Sequence, residues 1–365
     1  MSLTLYTPGH GLFMDTLIMY GLISPFLRKT DIDFEVRGTG GFFEIRIEDL
    51  SLDEYASLLA GEVQNSREEI KKLLLNELRL VQKQSEKKLV KNLDHLTEFE
   101  KASNALKSYL TPGHAESEGR RAGGQHTWLP LYPHLGKYSP GSFRYHPRNY
   151  VTCPTCIALA SLGFKTASIT IRGLKSRNKI QALLLTFEGE LFGDNLRDLL
   201  VYINSNEFRN VQNDKRVRRA ADLLPLTTFT NLLLTYFTSD IVAQLHKAEA
   251  SFIVQSLTFE IIRGGVTQIR GYEELFIDRY LSSLAQLSML DRELKMIDGS
   301  FKKLRSLSEE LIRKEETAAL EALYSFLNTR NPYDLYKASR QIVKSLEKGF
   351  GKQFCQELAL LISVG

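Results

Sequence analysis

Phe276–Leu290 reads FIDRYLSSLAQLSML, and its apolar residues Ile277, Tyr280, Leu281, Leu284 and Leu287 recur at intervals of three and four. Because 3.6 residues make one helical turn, that spacing puts them on one face of an α-helix. Such a face needs partners to bury it. The pattern stays helical from Glu273 to the end, through Phe301–Leu327, Leu335–Leu346 and Phe350–Ile362, with breaks at Asp298-Gly299, Asn331-Pro332 and Gly349. Residues 273–365 are therefore expected to form a C-terminal four-helix bundle.

The preceding residues, 1–272, read differently. Leu3–Tyr6 is a short apolar strand and Pro8-Gly9 leads into an apolar helix that ends near Ser24-Pro25. Phe34/Val36 and Phe43/Ile45/Ile47 alternate on either side of Gly38-Thr39-Gly40-Gly41, the pattern of a hairpin. The opening is thus β-α-β-β. Ser66-x-x-Glu69 has the form of a capping box before a run without Gly or Pro to Leu110, expected to be one long helix or two bent near Gln84-Ser85. Thr111–Tyr150 is rich in Gly, Pro, His and aromatics without periodicity and is expected to be a long loop. A hairpin with its tip at Gly173–Lys179, helices near Asn195–Asn204 and Leu226–His246, and strands at Phe252–Ile262 and Val266–Ile269 complete an α+β class: a mixed N-terminal domain over 1–272, then the bundle.

With 365 residues, 43% of them hydrophobic and 25% charged, the chain has length for a buried core and two domains. No window is apolar for the roughly 20 residues a membrane span needs, and the first residues lack the charged region and cleavage site of a signal peptide. Three cysteines make a disulfide framework improbable. A reducing, cytoplasmic setting is expected.

The net charge of +4 is modest, but its distribution is not. Between Glu118 and Glu188 there is no Asp or Glu in 69 residues, where about eight are expected. The same stretch holds ten cations: Arg120, Arg121, Lys137, Arg144, Arg148, Lys165, Arg172, Lys175, Arg177 and Lys179, leaving the rest of the chain at −6. Trp128, Tyr132, Tyr138 and Tyr145, with Phe143 and Tyr150, lie among them. Cations neutralise phosphates and flat rings stack on unpaired bases, so this composition points to nucleic acid. The alternative is a solvated loop that covers an acidic patch of this chain or of a partner protein. The hairpin cations Arg172, Lys175, Arg177 and Lys179 suit a groove, or equally an edge hairpin kept soluble by charge. Lys215, Arg216, Arg218 and Arg219 offer a second phosphate track or a solvated helix face.

Other chemistry is less supported. Cys153-Pro154-Thr155-Cys156 has the spacing of one arm of a zinc site. The only other cysteine is Cys355, so completion falls to His146 or His134, and a plain buried pair is the favoured alternative. His114, His126, His134 and His146 cluster in or beside the basic loop, which leaves open a metal-independent RNA-processing enzyme using two of them as acid and base. Gly38–Gly41 lacks the Gly-Lys-Ser/Thr ending of a nucleotide-binding loop. Thr-Pro-Gly-His occurs at Thr7–His10 and at Thr111–His114, a repeat near chance in a chain of this length.

Taken together, Leu3-Thr4-Leu5-Tyr6 before an apolar helix, CPTCIALASLGF at 153–164 and the helical tail resemble the large subunit of the archaeal type I-A CRISPR surveillance complex, a Cascade-like assembly. The resemblance implies a non-catalytic subunit at the 5′ end of the guide RNA, beside backbone and small subunits, that helps detect the protospacer-adjacent motif and contacts target DNA. Cleavage then falls to a separate helicase and nuclease. Related large subunits carry a complete zinc site, and this chain keeps only Cys153 and Cys156 of that pattern, so no cofactor is firmly implied.

Overall fold

The alternating segments at the N-terminus become strands because each buries one face. β1 (Leu3–Tyr6), β2 (Phe34–Gly38) and β3 (Phe43–Ile47) flank helix α1 (Leu12–Ile23) in the expected β-α-β-β order. β3 pairs antiparallel with both β1 and β2, placing Leu3 and Phe34 each opposite Ile47. The computed structural model describes residues 2–29, 31–81, 85–114, 125–126, 151–262, 267–293, 299–345, 354–356 and 358–359. After β4 (Gln125–His126) and β5 (Val151–Thr152), which pair with each other, come β6 (Ile169–Arg172), β7 (Lys179–Phe192), β8 (Ala250–Ile261) and β9 (Thr267–Phe276). The main sheet runs β1-β3-β2-β7-β8-β9, with β6 also paired to β7. The run ALLLTF within β7 is buried on both faces, as a continuous apolar segment in a central strand must be.

The chain divides into two compact units. The first comprises Met1–Thr170, Asn178–Asn204 and Leu257–Glu273. It contains α2 (Leu52–Lys71), α3 (Glu86–Thr97), α4 (Phe99–Leu106), α5 (Pro154–Ala167) and α6 (Gly193–Ile203). Its centre is the pair α1 and α5, both almost wholly buried. A side-chain carbon on Gly163 would lie 1.8 Å from the Leu17 carbonyl oxygen, and one on Gly21 would lie 2.2 Å from that of Leu159. As one helix advances from 17 to 21 its neighbour runs from 163 to 159, so the two are antiparallel and touch backbone to backbone. Only glycine permits that approach. It fixes the position of the helix that begins just after Cys153.

The second unit comprises Ile171–Arg177, Ser205–Ser256 and Glu274–Gly365. It holds α7 (Asn206–Asn213), α8 (Lys215–Leu223), α9 (Leu226–Leu234), α10 (Ser239–Lys247), α11 (Asp278–Glu293), α12 (Ser300–Arg313), α13 (Thr317–Thr329) and α14 (Pro332–Ser345). Helices α7–α10, assigned by sequence to the N-terminal domain, thus share this unit with the C-terminal helices. A buried polar cluster joins four of them. The Thr235 hydroxyl, just after α9, lies 2.9 Å from the Tyr280 hydroxyl and 3.0 Å from that of Tyr324, which in turn lies 2.8 Å from Ser308.

Several expected boundaries are corrected. Ser66 does not start a helix: it lies inside α2, where its hydroxyl donates to Glu62 at 2.9 Å. The capping box is Ser51-x-x-Glu54, with reciprocal bonds of 3.3 and 2.9 Å, placed after Asp49 turns the chain through a φ of 51°. The run to Leu110 does break near the expected Ser85, where α3 begins after a π-helical turn, Lys72–Glu77, and it breaks again at Glu98, whose extended backbone separates α3 from α4. Glu273–Phe276 continues β9 instead of opening a helix. Phe301–Leu327 forms two helices, because α12 ends in a Schellman turn made without glycine. Glu316 N–H donates to Leu311 C=O at 2.9 Å and Glu315, at φ 58°, donates to Ile312 C=O at 3.1 Å. Leu226–His246 is likewise two helices, the second capped by the Thr238 hydroxyl. Of the expected helix Phe350–Ile362, only 354–356 and 358–359 are described, and they are helical.

Candidate nucleic-acid interface and metal centre

Two basic segments read separately in the sequence meet in the second unit. The turn between β6 and β7 is held on α8 by its backbone. Asp222 accepts the N–H groups of Lys175 and Ser176 at 2.7 and 3.3 Å, and Leu174 N–H donates to the Arg218 carbonyl at 3.1 Å. In return, Arg218 donates to the carbonyls of Arg172 and Gly173 at 3.0 and 3.3 Å. Arg172 donates to the Arg177 carbonyl at 3.3 Å, closing the turn from within.

Helix α8 forms because Asp214 caps it, accepting the Arg216 N–H at 2.7 Å, and because Val217, Ala220 and Ala221 bury one side. Its four cations consequently occupy the remaining faces. They are not equivalent. Arg216 forms ion pairs with Asp214 at 3.0 Å and Glu309 at 2.5 Å. The hydrogen-bonded Asp214 carboxylate raises the Arg216 guanidinium further above its usual range, and Arg216 in turn holds Asp214 low. Arg219 and Lys175 both approach Glu315, at 3.7 and 3.8 Å. Lys175, Arg177 and Lys215 are exposed. Lys179 follows as the first residue of β7.

Lys165 serves differently from its neighbours in the acid-free stretch. It pairs with Glu69 at 3.2 Å and Ser66 at 3.2 Å, tying α5 to α2. Arg120, Arg121, Lys137, Arg144 and Arg148, the rings Trp128, Tyr132, Tyr138 and Tyr145, and His134 and His146 lie outside the described residues, as does most of the expected loop 111–150.

In the first unit the Cys-x-x-Cys pair gains a third donor, from a residue that the sequence had grouped with the loop histidines. His114 Nε2 lies 3.6 Å from Cys153 Sγ and 3.5 Å from Cys156 Sγ, and the two sulfurs are 3.4 Å apart. Local structure explains the meeting. Cys153 caps α5, its sulfur accepting the Cys156 N–H at 3.3 Å, and one turn of helix brings both sulfurs to the same end. Gly113, at φ 85°, turns the chain after a short 3-10 segment, Lys107–Tyr109, so that the His114 ring lies 5.1 Å from that of Tyr109. The Tyr109 hydroxyl lies 3.0 Å from Cys156 Sγ. Cys156 and Tyr109 are fully buried, and Cys153 and His114 are half-buried. The spacing signal was limited to the two cysteines, since His114 stands 39 residues before the first of them.

Among the described residues, no helix is long and apolar enough to cross a membrane. The fold and these two features define an α+β protein with a cationic hairpin and a thiol-imidazole cluster, in separate units. The chain belongs to the Cas_Csa4 family of CRISPR-associated proteins, whose family model matches residues 3–353. No curated protein matches it significantly.

Proposed function

We propose that this protein is the non-catalytic large subunit of a type I-A CRISPR surveillance complex and that it binds target DNA near the protospacer-adjacent motif. The observation that carries this reading is the joining of the hairpin 172–177 to α8, which gathers two basic segments of a CRISPR-associated chain onto one surface. In this reading Arg218, Asp222 and Arg172 shape the turn, while Lys175, Arg177 and Lys215 meet phosphates. The segment 120–148 adds cations and rings that engage a locally opened duplex. The guide RNA reads sequence by base pairing, and the protein reads a short motif and shape. Backbone and small subunits hold it in place, and a helicase and nuclease act afterwards, in the cytoplasm. His114, one of the four loop histidines, faces two sulfurs, an arrangement that favours a structural role over acid–base catalysis.

The test uses the assembled complex. Changing Lys175, Arg177 and Lys215 together to alanine leaves the turn-forming residues intact. It is expected to weaken DNA binding at low salt and to reduce the slope of log K against log salt by about 2–3, at roughly 0.9 per lost phosphate contact. An unchanged slope removes the hairpin surface from the reading. Purification of the tagged protein from its host, with bound RNA sequenced, tests the wider assignment. Repeat–spacer guide RNAs with backbone subunits support it, and heterogeneous RNA or none overturns it.

A further inference from the structure

The geometry points to a tetrahedral zinc site whose protein ligands are Cys153 Sγ, Cys156 Sγ and His114 Nε2, the three donors that lie within 4.8 Å of one another. Zinc binds thiolate at about 2.3 Å and imidazole at 2.0–2.1 Å. Tetrahedral angles then require sulfurs about 3.8 Å apart and each sulfur about 3.6 Å from the nitrogen. The observed separations are 3.4 Å between sulfurs and 3.6 and 3.5 Å from sulfur to nitrogen. A disulfide would draw the sulfurs to about 2.05 Å.

The surroundings favour the deprotonated ligands that zinc needs. The Cys156 N–H points at Cys153 Sγ, and the N-terminal end of α5 favours negative charge there. The Tyr109 hydroxyl lies where it donates to a Cys156 thiolate, while its ring lies against His114, and such outer contacts orient metal ligands. Three protein ligands lie among the described residues, and the fourth tetrahedral position falls to water or another donor. The chain order adds a consequence. His114 and Cys153 bracket the 38 residues 115–152, which include Arg120, Arg121, Lys137, Arg144 and Arg148. A shared ion therefore ties together the two residues that flank the basic segment. That consequence, unlike the site itself, rests on the proposed DNA-binding role.

The experiment measures metal content of the full chain produced in zinc-supplemented medium and purified under reducing conditions without chelator. One zinc per chain is expected. Substituting cobalt should give thiolate-to-metal absorption, His114→Cys should keep the ion and strengthen that absorption, and His114→Ala and Cys153→Ser should each retain less than about a tenth of the metal after a chelator challenge. Folded wild-type protein without zinc or cobalt uptake overturns the site, as does a Cys153–Cys156 disulfide seen as two missing thiols. Retention by His114→Ala at the wild-type level overturns the role of His114. These readouts do not involve DNA, so their failure is distinct from failure of the DNA-binding reading.

Discussion

Thr-Pro-Gly-His occurs twice in the first unit, and its two copies share a left-handed glycine but not a chemistry. Gly9 and Gly113 take nearly the same left-handed conformation, φ 86° and 85°, each turning the chain before a histidine. In the first copy the turn folds over a carboxylate. Asp15 of α1 accepts the N–H groups of Gly9 and Gly11 at 2.8 Å each, with His10 buried beside it. In the second, the histidine meets two sulfurs at the start of α5, the helix against which α1 packs. The tetrapeptide encodes a turn. What the turn does depends on the side chain that the fold places opposite, a carboxylate in one copy and a pair of thiols in the other.

The largest contrast is expected between the two histidines. His114→Ala should abolish zinc retention, whereas His10→Ala should leave one zinc per chain. The lost ion is worth about 4 kcal/mol of unfolding free energy at free zinc a thousandfold above Kd, measured by chemical denaturation with and without chelator. A second contrast lies in Asp15. Asp15→Asn replaces one acceptor by an NH2 group facing a backbone donor, which should cost about 1–3 kcal/mol without altering metal content.

That cost depends on pH with a definite sign. Burial is the main cause that raises the Asp15 carboxyl above its ordinary 3.8, outweighing His10 and the two N–H groups. A raised folded-state value means that the associated stability is fully present below the unfolded value and declines as pH rises through the folded one. The stability difference between wild type and Asp15→Asn should therefore shrink as pH rises above the ordinary carboxyl value of 3.8. A difference that grows with pH would show that the two N–H bonds outweigh burial. The smallest effects belong to the glycines. Neither has a heavy atom within 4 Å of the position a side-chain carbon would take, so Gly9→Ala and Gly113→Ala meet conformational cost alone. Each should lose about 1–2 kcal/mol, and only Gly113→Ala should also weaken zinc binding.

Local pattern carried much of the fold into view. Alternation marked β2, β3 and β6, a continuous apolar run marked β7, and periodicity marked α11 and α14. Errors fell where a boundary is made by backbone bonding without the usual punctuation. The turn at Lys314–Glu316 contains neither glycine nor proline, and Ser66-x-x-Glu69 matches a cap motif inside a helix whose start had already been set at Ser51. The candidate site divides similarly. The acid-free stretch and Cys-x-x-Cys were legible because composition and short spacing need no fold. The dependence of the hairpin on Asp222 and Arg218 was not, because these residues are some 45 positions from the turn they hold.

The amino-acid sequence by itself determined the local elements, the concentration of cations between Glu118 and Glu188, and the pairing of Cys153 with Cys156, because each depends on neighbours within a few turns of chain. Tertiary structure decided which cations became structural, as with Arg218, and which stayed exposed, as with Arg177 and Lys215. It also decided which histidine joined the cysteines. A ligand set is a matter of distances between side chains, and it takes the turn at Gly113 and the Cys153 cap of α5 to bring His114 within reach of two sulfurs.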